Sequence, residues 1–255
     1  MPDAPDLAAR YLDLIEASLR NDVYGEAPID TLLRTAAVRL RHPWQTRSWG
    51  SVWPARAHTM LGKPRLRHLR GLAEATLRDG VPGDYIETGV WRGGACILMR
   101  AVLAAHGVTD RRVFVADSFE GLPRPNAETY PLDRRSKLFS FAELAVSEAE
   151  VRRNFETYGL LDAQVVFLKG FFKDTLPTLT DERFALIRLD GDMYESTMDA
   201  LVGLYDRLSP GGYAVIDDYA ALAGCRRAVH DFLDQRGLAP TISAIDECAV
   251  WWRKD

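Results

Sequence analysis

Cysteine is scarce in this sequence, with three in 255 residues. Cys96, Cys225 and Cys248 are odd in number and far apart, with neither the C-x-x-C spacing of a zinc site nor the framework of a disulfide scaffold. They read as buried free thiols. Basic charge is not in excess either: 32 Lys and Arg against 36 Asp and Glu give a net charge of -4. Without an electropositive footprint, a nucleic-acid partner is not expected. No apolar run approaches the roughly 20 residues needed to cross a bilayer. The first residues, Met1-Pro2-Asp3-Ala4-Pro5-Asp6, carry acids where a secretory signal carries basic groups. A cytoplasmic protein with no membrane partner is the expectation. Repeats and low-complexity tracts are missing too. The 47% hydrophobic and 27% charged residues that remain are those of an ordinary globular chain, long enough to bury a full core.

Leu7, Tyr11, Leu12, Ile15 and Leu19 recur at helical spacing and predict an amphipathic helix. The stretch Arg39 to Trp53, with Trp44, Trp49 and Trp53 among arginines, has no period and reads as irregular structure, a candidate lid. A helical pattern from Pro64 (Leu66, Leu69, Leu72, Ala73, Leu77) stops at Gly80 and Pro82-Gly83. Strands then alternate with helical patterns: Tyr85 to Glu87, Val113 to Ala116, Val165 to Leu168, Ala185 to Leu189 and Tyr213 to Ile216. Such alternation predicts an α/β fold of parallel units with helices on both faces of the sheet. Thr241 to Ile245 and Ala249 to Trp252 break the rhythm as a closing antiparallel hairpin. The predicted organisation is a helical and lid segment over residues 1–63 and an α/β domain over 64–255. Pro123 to Glu150 forms a long insertion after the second strand, read either as a second lid or as a surface excursion.

Glu87-Thr88-Gly89-Val90-Trp91-Arg92-Gly93-Gly94 follows a strand and opens an apolar helix, the setting of a cofactor-binding first β-α turn. It is not G-x-G-x-x-G: bulky Trp91 stands where a dinucleotide fold needs a glycine for the pyrophosphate. A cofactor without a pyrophosphate fits better. S-adenosylmethionine is one, since its carboxylate can sit near backbone N–H groups at a helix start. Asp117 ends the second strand beside that turn, either to accept the ribose hydroxyls or to cap the Ser118-to-Gly121 turn. Gly170-Phe171-Phe172 after the third strand either flanks an adenine ring or belongs to the core. Leu189-Asp190-Gly191-Asp192 and Ile216-Asp217-Asp218 each lie where an apolar strand ends, so four carboxylates converge at one sheet edge. Clustered carboxylates repel unless a cation lies among them, and an all-oxygen set suits a hard ion such as Mg²⁺. Asp190, Asp217 and Asp218 are the expected metal ligands.

Taken together, these motifs resemble the macrocin O-methyltransferase family, which methylates sugar hydroxyls of glycosylated natural products. The resemblance also rests on Ala57-His58-Thr59-Met60, Ala116-Asp117-Ser118-Phe119-Glu120-Gly121, Phe172-Lys173-Asp174-Thr175, Asp190-Gly191-Asp192-Met193-Tyr194 and Asp217-Asp218-Tyr219. It implies a class I methyltransferase fold, Rossmann-like, with a mostly parallel seven-stranded sheet and one antiparallel strand. It implies cofactor contacts from Thr59, Met60, Glu87, Thr88, Gly89, Val90, Trp91, Asp117, Ser118 and Gly121, joined by Gly170 and Phe171. It implies metal ligation by Asp190, Asp217 and Asp218, Asp192 as general base, and a homo-oligomer built through the N-terminal helices.

A sugar hydroxyl is scarcely ionised at neutral pH, so its proton must be made acidic or removed as attack occurs. A metal answers the first need and Asp192 the second. A small-molecule acceptor, glycosylated, is therefore expected; a catechol or other phenol is the alternative with the same metal and cofactor. A nicotinamide oxidoreductase is disfavoured by the glycine spacing, and a non-catalytic cofactor binder by Asp192 beside the metal trio. His230, on a later helical pattern, reads as a structural or surface residue.

Overall fold

The computed structural model describes residues 6–25 and 53–255, so of the Trp-rich candidate lid only Trp53 falls within it; Trp44 and Trp49 lie outside the described residues. Helix α1 spans Leu7–Leu19, opened by Asp6, whose carboxylate accepts from the Ala9 N–H at 3.1 Å. Its apolar stripe, Leu12, Ile15 and Leu19, is buried against α2 (Lys63–Arg78) and α3 (Gly94–Ala105) in one shared core. All of α3 from Gly94 to Leu103 is buried, which is why its sequence is apolar all round rather than striped.

Five strands run parallel: β1 (Asp84–Thr88), β2 (Val113–Asp117), β3 (Val165–Lys169), β4 (Phe184–Leu189) and β5 (Leu208–Ile216). Between them lie α4 (Glu148–Thr157), the single turn α5 (Phe172–Thr175) and α6 (Tyr194–Leu204); α7 (Ala223–Gln235) follows β5. The chain closes with β6 (Ser243–Ala244) and β7 (Val250–Arg253), β7 antiparallel to β5, giving the sheet order β3-β2-β1-β4-β5-β7-β6. This is the expected mostly parallel seven-stranded sheet with one antiparallel strand. The hairpin is shorter in its first arm than the sequence predicts, two residues being paired before the turn. Helices α1, α2 and α3 cover one face; α6 and α7 cover the other, around Phe184, Ile187, Leu201, Phe232 and Trp252.

Two of the cysteines, Cys96 and Cys225, are buried thiols as expected; Cys248 is only half-buried, because it lies in the turn of the hairpin. The Pro123-to-Glu150 insertion holds three short 3₁₀ turns and is hydrogen-bonded to the rest of the fold through Asp133 and Glu143. Asp133, almost fully buried, accepts from the N–H groups of Tyr194 (2.8 Å) and Glu195 (3.1 Å). The Glu143 carbonyl accepts from the Trp91 indole N–H at 2.8 Å. No helix among the described residues is long and apolar enough to cross a membrane.

Candidate active site

The register of β1 against β4 (Thr88 with Leu189) and of β4 against β5 (Leu189 with Ile216) brings their carboxyl ends level. Parallel strands therefore deliver the Gly89 turn, the Asp190 segment and the Asp217 pair to one edge, as their order predicts. The approach is close at Gly89, in left-handed backbone (φ 83): a Cβ there would lie 1.9 Å from the Asp190 carbonyl oxygen, so no side chain fits. Gly94 answers a second close approach, since a Cβ there would lie 2.4 Å from the His58 carbonyl oxygen. That packing brings Thr59 and Met60 onto the Gly89 turn, held further by Arg92, which donates to the carbonyls of Pro54, Ala55 and Ala57.

Over this edge opens a cleft of about 570 Å³. Of the residues the sequence marks, it brings together Thr59, Met60, Glu87, Gly89, Val90, Trp91, Asp117, Ser118, Gly121, Phe171 and all four aspartates. It does not bring in Thr88, whose side chain is fully buried inside the sheet, or Gly170, which lies outside the cleft wall with its φ of 142 shaping the turn into α5. Phe171 is partly exposed at the rim rather than a core aromatic.

Asp117 is already in use by the backbone. One oxygen accepts from the Val90 N–H (2.8 Å) and the other from the Phe119 N–H (2.7 Å), so the residue braces the Gly89 turn as well as facing the cleft. Burial raises its carboxyl from the ordinary range, against the pull of those N–H groups. Trp91 and Phe119, on either side of it, both hold positive φ, a strained state for bulky residues.

Asp190, Asp192 and Asp218 offer carboxylate oxygens that all lie within 4.8 Å of one another. Burial, then mutual repulsion among these carboxylates and Asp217, raises all three, Asp192 and Asp218 most strongly. Asp218 also leaves Oδ2 buried without a hydrogen-bond partner. Such a cluster has the donor chemistry and the unbalanced charge that a hard cation answers.

Asp217 sits beside this trio in a different state. Its Oδ1 faces Arg188 Nη2 at 2.6 Å and its Oδ2 faces Arg65 Nη1 at 2.8 Å. Burial pushes its carboxyl up, but the two guanidiniums outweigh that and hold it below the ordinary range. Arg188 also pairs with Glu87 and with Asp190 (3.0 Å), and Arg65 with Asp246 of the hairpin turn (2.7 Å). A buried network, Asp246–Arg65–Asp217–Arg188–Asp190, thus runs beneath the cleft. Sequence reading passes over both arginines, although Arg188 carried a signal: it is the one charge inside an apolar buried strand, immediately before Leu189-Asp190. Arg65 carries none, since a charge on the first turn of an amphipathic helix is commonplace. His230, read as structural or surface, bonds the Tyr219 hydroxyl at 2.7 Å in an exposed position.

A seven-stranded sheet in this order, with a glycine turn and an acid cluster over its carboxyl edge, defines a class I methyltransferase. The chain belongs to the macrocin O-methyltransferase (TylF) family, whose model matches residues 8–254, and it is an O-methyltransferase. Among its relatives, the 8-demethyl-8-(2,3-dimethoxy-alpha-L-rhamnosyl)-tetracenomycin-C 4'-O-methyltransferase of Streptomyces olivaceus is 53% identical over 98% of this chain and 94% of that protein. The mycinamicin III 3''-O-methyltransferase of Micromonospora griseorubida is 48% identical over 96% of both. The solved structure of the O-methyltransferase NovP matches with a TM-score of 0.90 at 46% identity, over 97% of this chain and 99% of that one.

Proposed function

We propose that this enzyme methylates a sugar hydroxyl of a glycosylated small molecule, taking the methyl group from S-adenosylmethionine with the help of Mg²⁺ or another divalent cation. The observation that carries the reading is the meeting of the side-chain-free Gly89 turn, Asp117 and the acid cluster in one cleft. The relatives' names support the acceptor class: one acts on a rhamnosyl tetracenomycin, another on mycinamicin III. When bound, the cofactor supplies an electrophilic sulfonium methyl and the cation makes a nearby hydroxyl more acidic. The chain's own residues hold and orient the reactants. Thr59, Met60, the Gly89 turn and Asp117 would hold the cofactor, and Asp190, Asp217 and Asp218 the cation. Asp192 takes the hydroxyl proton on a carboxylate oxygen.

One observation favours a second assignment within the same site: Asp192, not Asp217, completes the converging trio, and both oxygens of Asp217 already face arginines. A carboxylate has about four lone-pair positions, so those pairings leave Asp217 able to ligate. Mn²⁺ titration of Asp192→Asn and Asp217→Asn separates the two: the variant that loses affinity is the ligand. We also infer a homo-oligomer, supported by Leu7 and Leu14 of α1 and the following Tyr24, all exposed; light scattering on the full chain checks it. The decisive test of the function is a mass-shift screen with S-adenosylmethionine and Mg²⁺ against the acceptors of those relatives. A gain of one methyl group on a sugar supports the reading; methylation of simple catechols alone overturns it.

A further inference from the structure

The base loop joins β4 to α6 in four residues, Asp190 to Met193, and its conformation is not one the chain adopts freely. Asp192 holds left-handed backbone (φ 59), a state that persists only where the surroundings over-determine it. The β4 end is fixed by the sheet, with Asp190 N–H donating to the Thr88 carbonyl at 2.9 Å. The α6 end needs another anchor, because the first N–H groups of a helix have no partner within it and the N-cap residue of α6, Met193, makes no side-chain cap. The anchor comes from about sixty residues earlier in the chain. Asp133 places one oxygen on the Tyr194 N–H and the other on the Glu195 N–H, and the Tyr130 ring lies 5.7 Å from that of Tyr194. The fit is built on a third side too: a Cβ on Gly224, at the start of α7, would stand 2.9 Å from Asp133 Oδ1. The insertion carrying Asp133 also lines the cleft with Arg124, Asn126, Leu138 and Leu144.

We propose that Asp133 is a positioning residue for the acid cluster: by capping α6 from the insertion, it holds the Asp190-to-Met193 loop in the conformation that aims Asp192 beside Asp190 and Asp218, and so ties the acceptor-side wall to the reacting centre. This rests on the reading of those aspartates as the cation and base site. A helix cap serving stability alone would leave the geometry of the cluster unchanged when removed.

The test uses the full-length protein with Mn²⁺ as probe of the acid cluster and S-adenosylhomocysteine as probe of the Gly89 turn. Asp133→Ala is expected to weaken Mn²⁺ binding at least about fivefold and to speed amide exchange over residues 190–195, with S-adenosylhomocysteine affinity kept within about twofold. Asp133→Asn, which keeps the shape and one acceptor oxygen, falls between. Gly224→Ala displaces the carboxylate without deleting it and, although alanine favours a helix, is expected to reproduce the Mn²⁺ defect. If Asp133→Ala and Gly224→Ala lower the melting temperature while Mn²⁺ affinity stays at the wild-type value, the inference is overturned. If the wild type itself binds no Mn²⁺, the cation reading fails separately, and the inference is decided by exchange at Asp192 and Met193: faster in both variants supports it, unchanged overturns it.

Discussion

At the scale of single residues, Asp192 and Arg188 carry opposite burdens. Asp192, proposed above as the proton acceptor, has its carboxyl raised by burial and then by Asp190 and Asp217. Asp192→Asn keeps its shape, and loss of a general base costs on the order of 10²- to 10⁴-fold in rate. The expected result is that loss in turnover at saturating Mg²⁺; near-normal turnover would move the proton to another acceptor. Arg188, 3% exposed, is the counter-charge for Glu87, Asp190 and Asp217 together. Removing one member of a buried ionic set leaves the others uncompensated, at a cost of about 3–5 kcal/mol. Urea unfolding of Arg188→Met in EDTA should show a loss of that order, partly recovered on adding Mg²⁺. Asp199, on the cleft-facing side of α6, adds a pH signature: burial, then Glu195 close by, pushes its carboxyl from 3.8 to about 6, against Lys173. A raised folded-state value means stability that is fully present below pH 3.8 and is lost as pH rises through 6. Asp199→Asn should therefore flatten that part of the melting-temperature profile.

At the scale of elements, the insertion between β2 and α4 is hydrogen-bonded to the rest of the fold through Asp133 and the Glu143 carbonyl. Trp91→Phe keeps an aromatic side chain, smaller than the indole, and deletes the N–H that bonds the Glu143 carbonyl. Its expected outcome is weaker S-adenosylhomocysteine binding, by about 1 kcal/mol or fivefold, read by calorimetry, since a lost neutral hydrogen bond is worth about that much. Affinity equal to wild type would show that the Trp91 bond does not support cofactor binding at the Gly89 turn. Most of this architecture was legible in the sequence. The 3.6 period of Leu7 to Leu19 and the short apolar runs, four of the five ending in an acid, marked α1 and the five parallel strands, because burial on one stripe or on both faces leaves those periods behind. What was not legible was who meets whom across the chain. Asp133 looks like any loop aspartate, and Arg65 like any helix-surface arginine, because a long-range partner leaves no local pattern. The same limit applies to Asp217, whose position at a strand end is visible but whose two guanidinium neighbours are not.

At the scale of the whole molecule, the buried network ties the first helix of the α/β region to its last hairpin through the floor of the cleft. Arg65 comes from α2 and Asp246 from the turn before β7, where its other oxygen accepts the N–H groups of Cys248 (2.8 Å) and Ala249 (2.9 Å). The order of synthesis gives this arrangement a temporal meaning. Residues 243–253 leave the ribosome after every other strand of the sheet, and Asp246 among them pairs with Arg65, which also pairs with Asp217. A nascent chain that has made β1 to β5 already owns the glycine turn and all four cleft aspartates, before the Asp246 carboxylate has emerged. The hairpin is therefore the last part of the sheet to reach the ionic network beneath the cleft, and Asp246 is the carboxylate by which it joins.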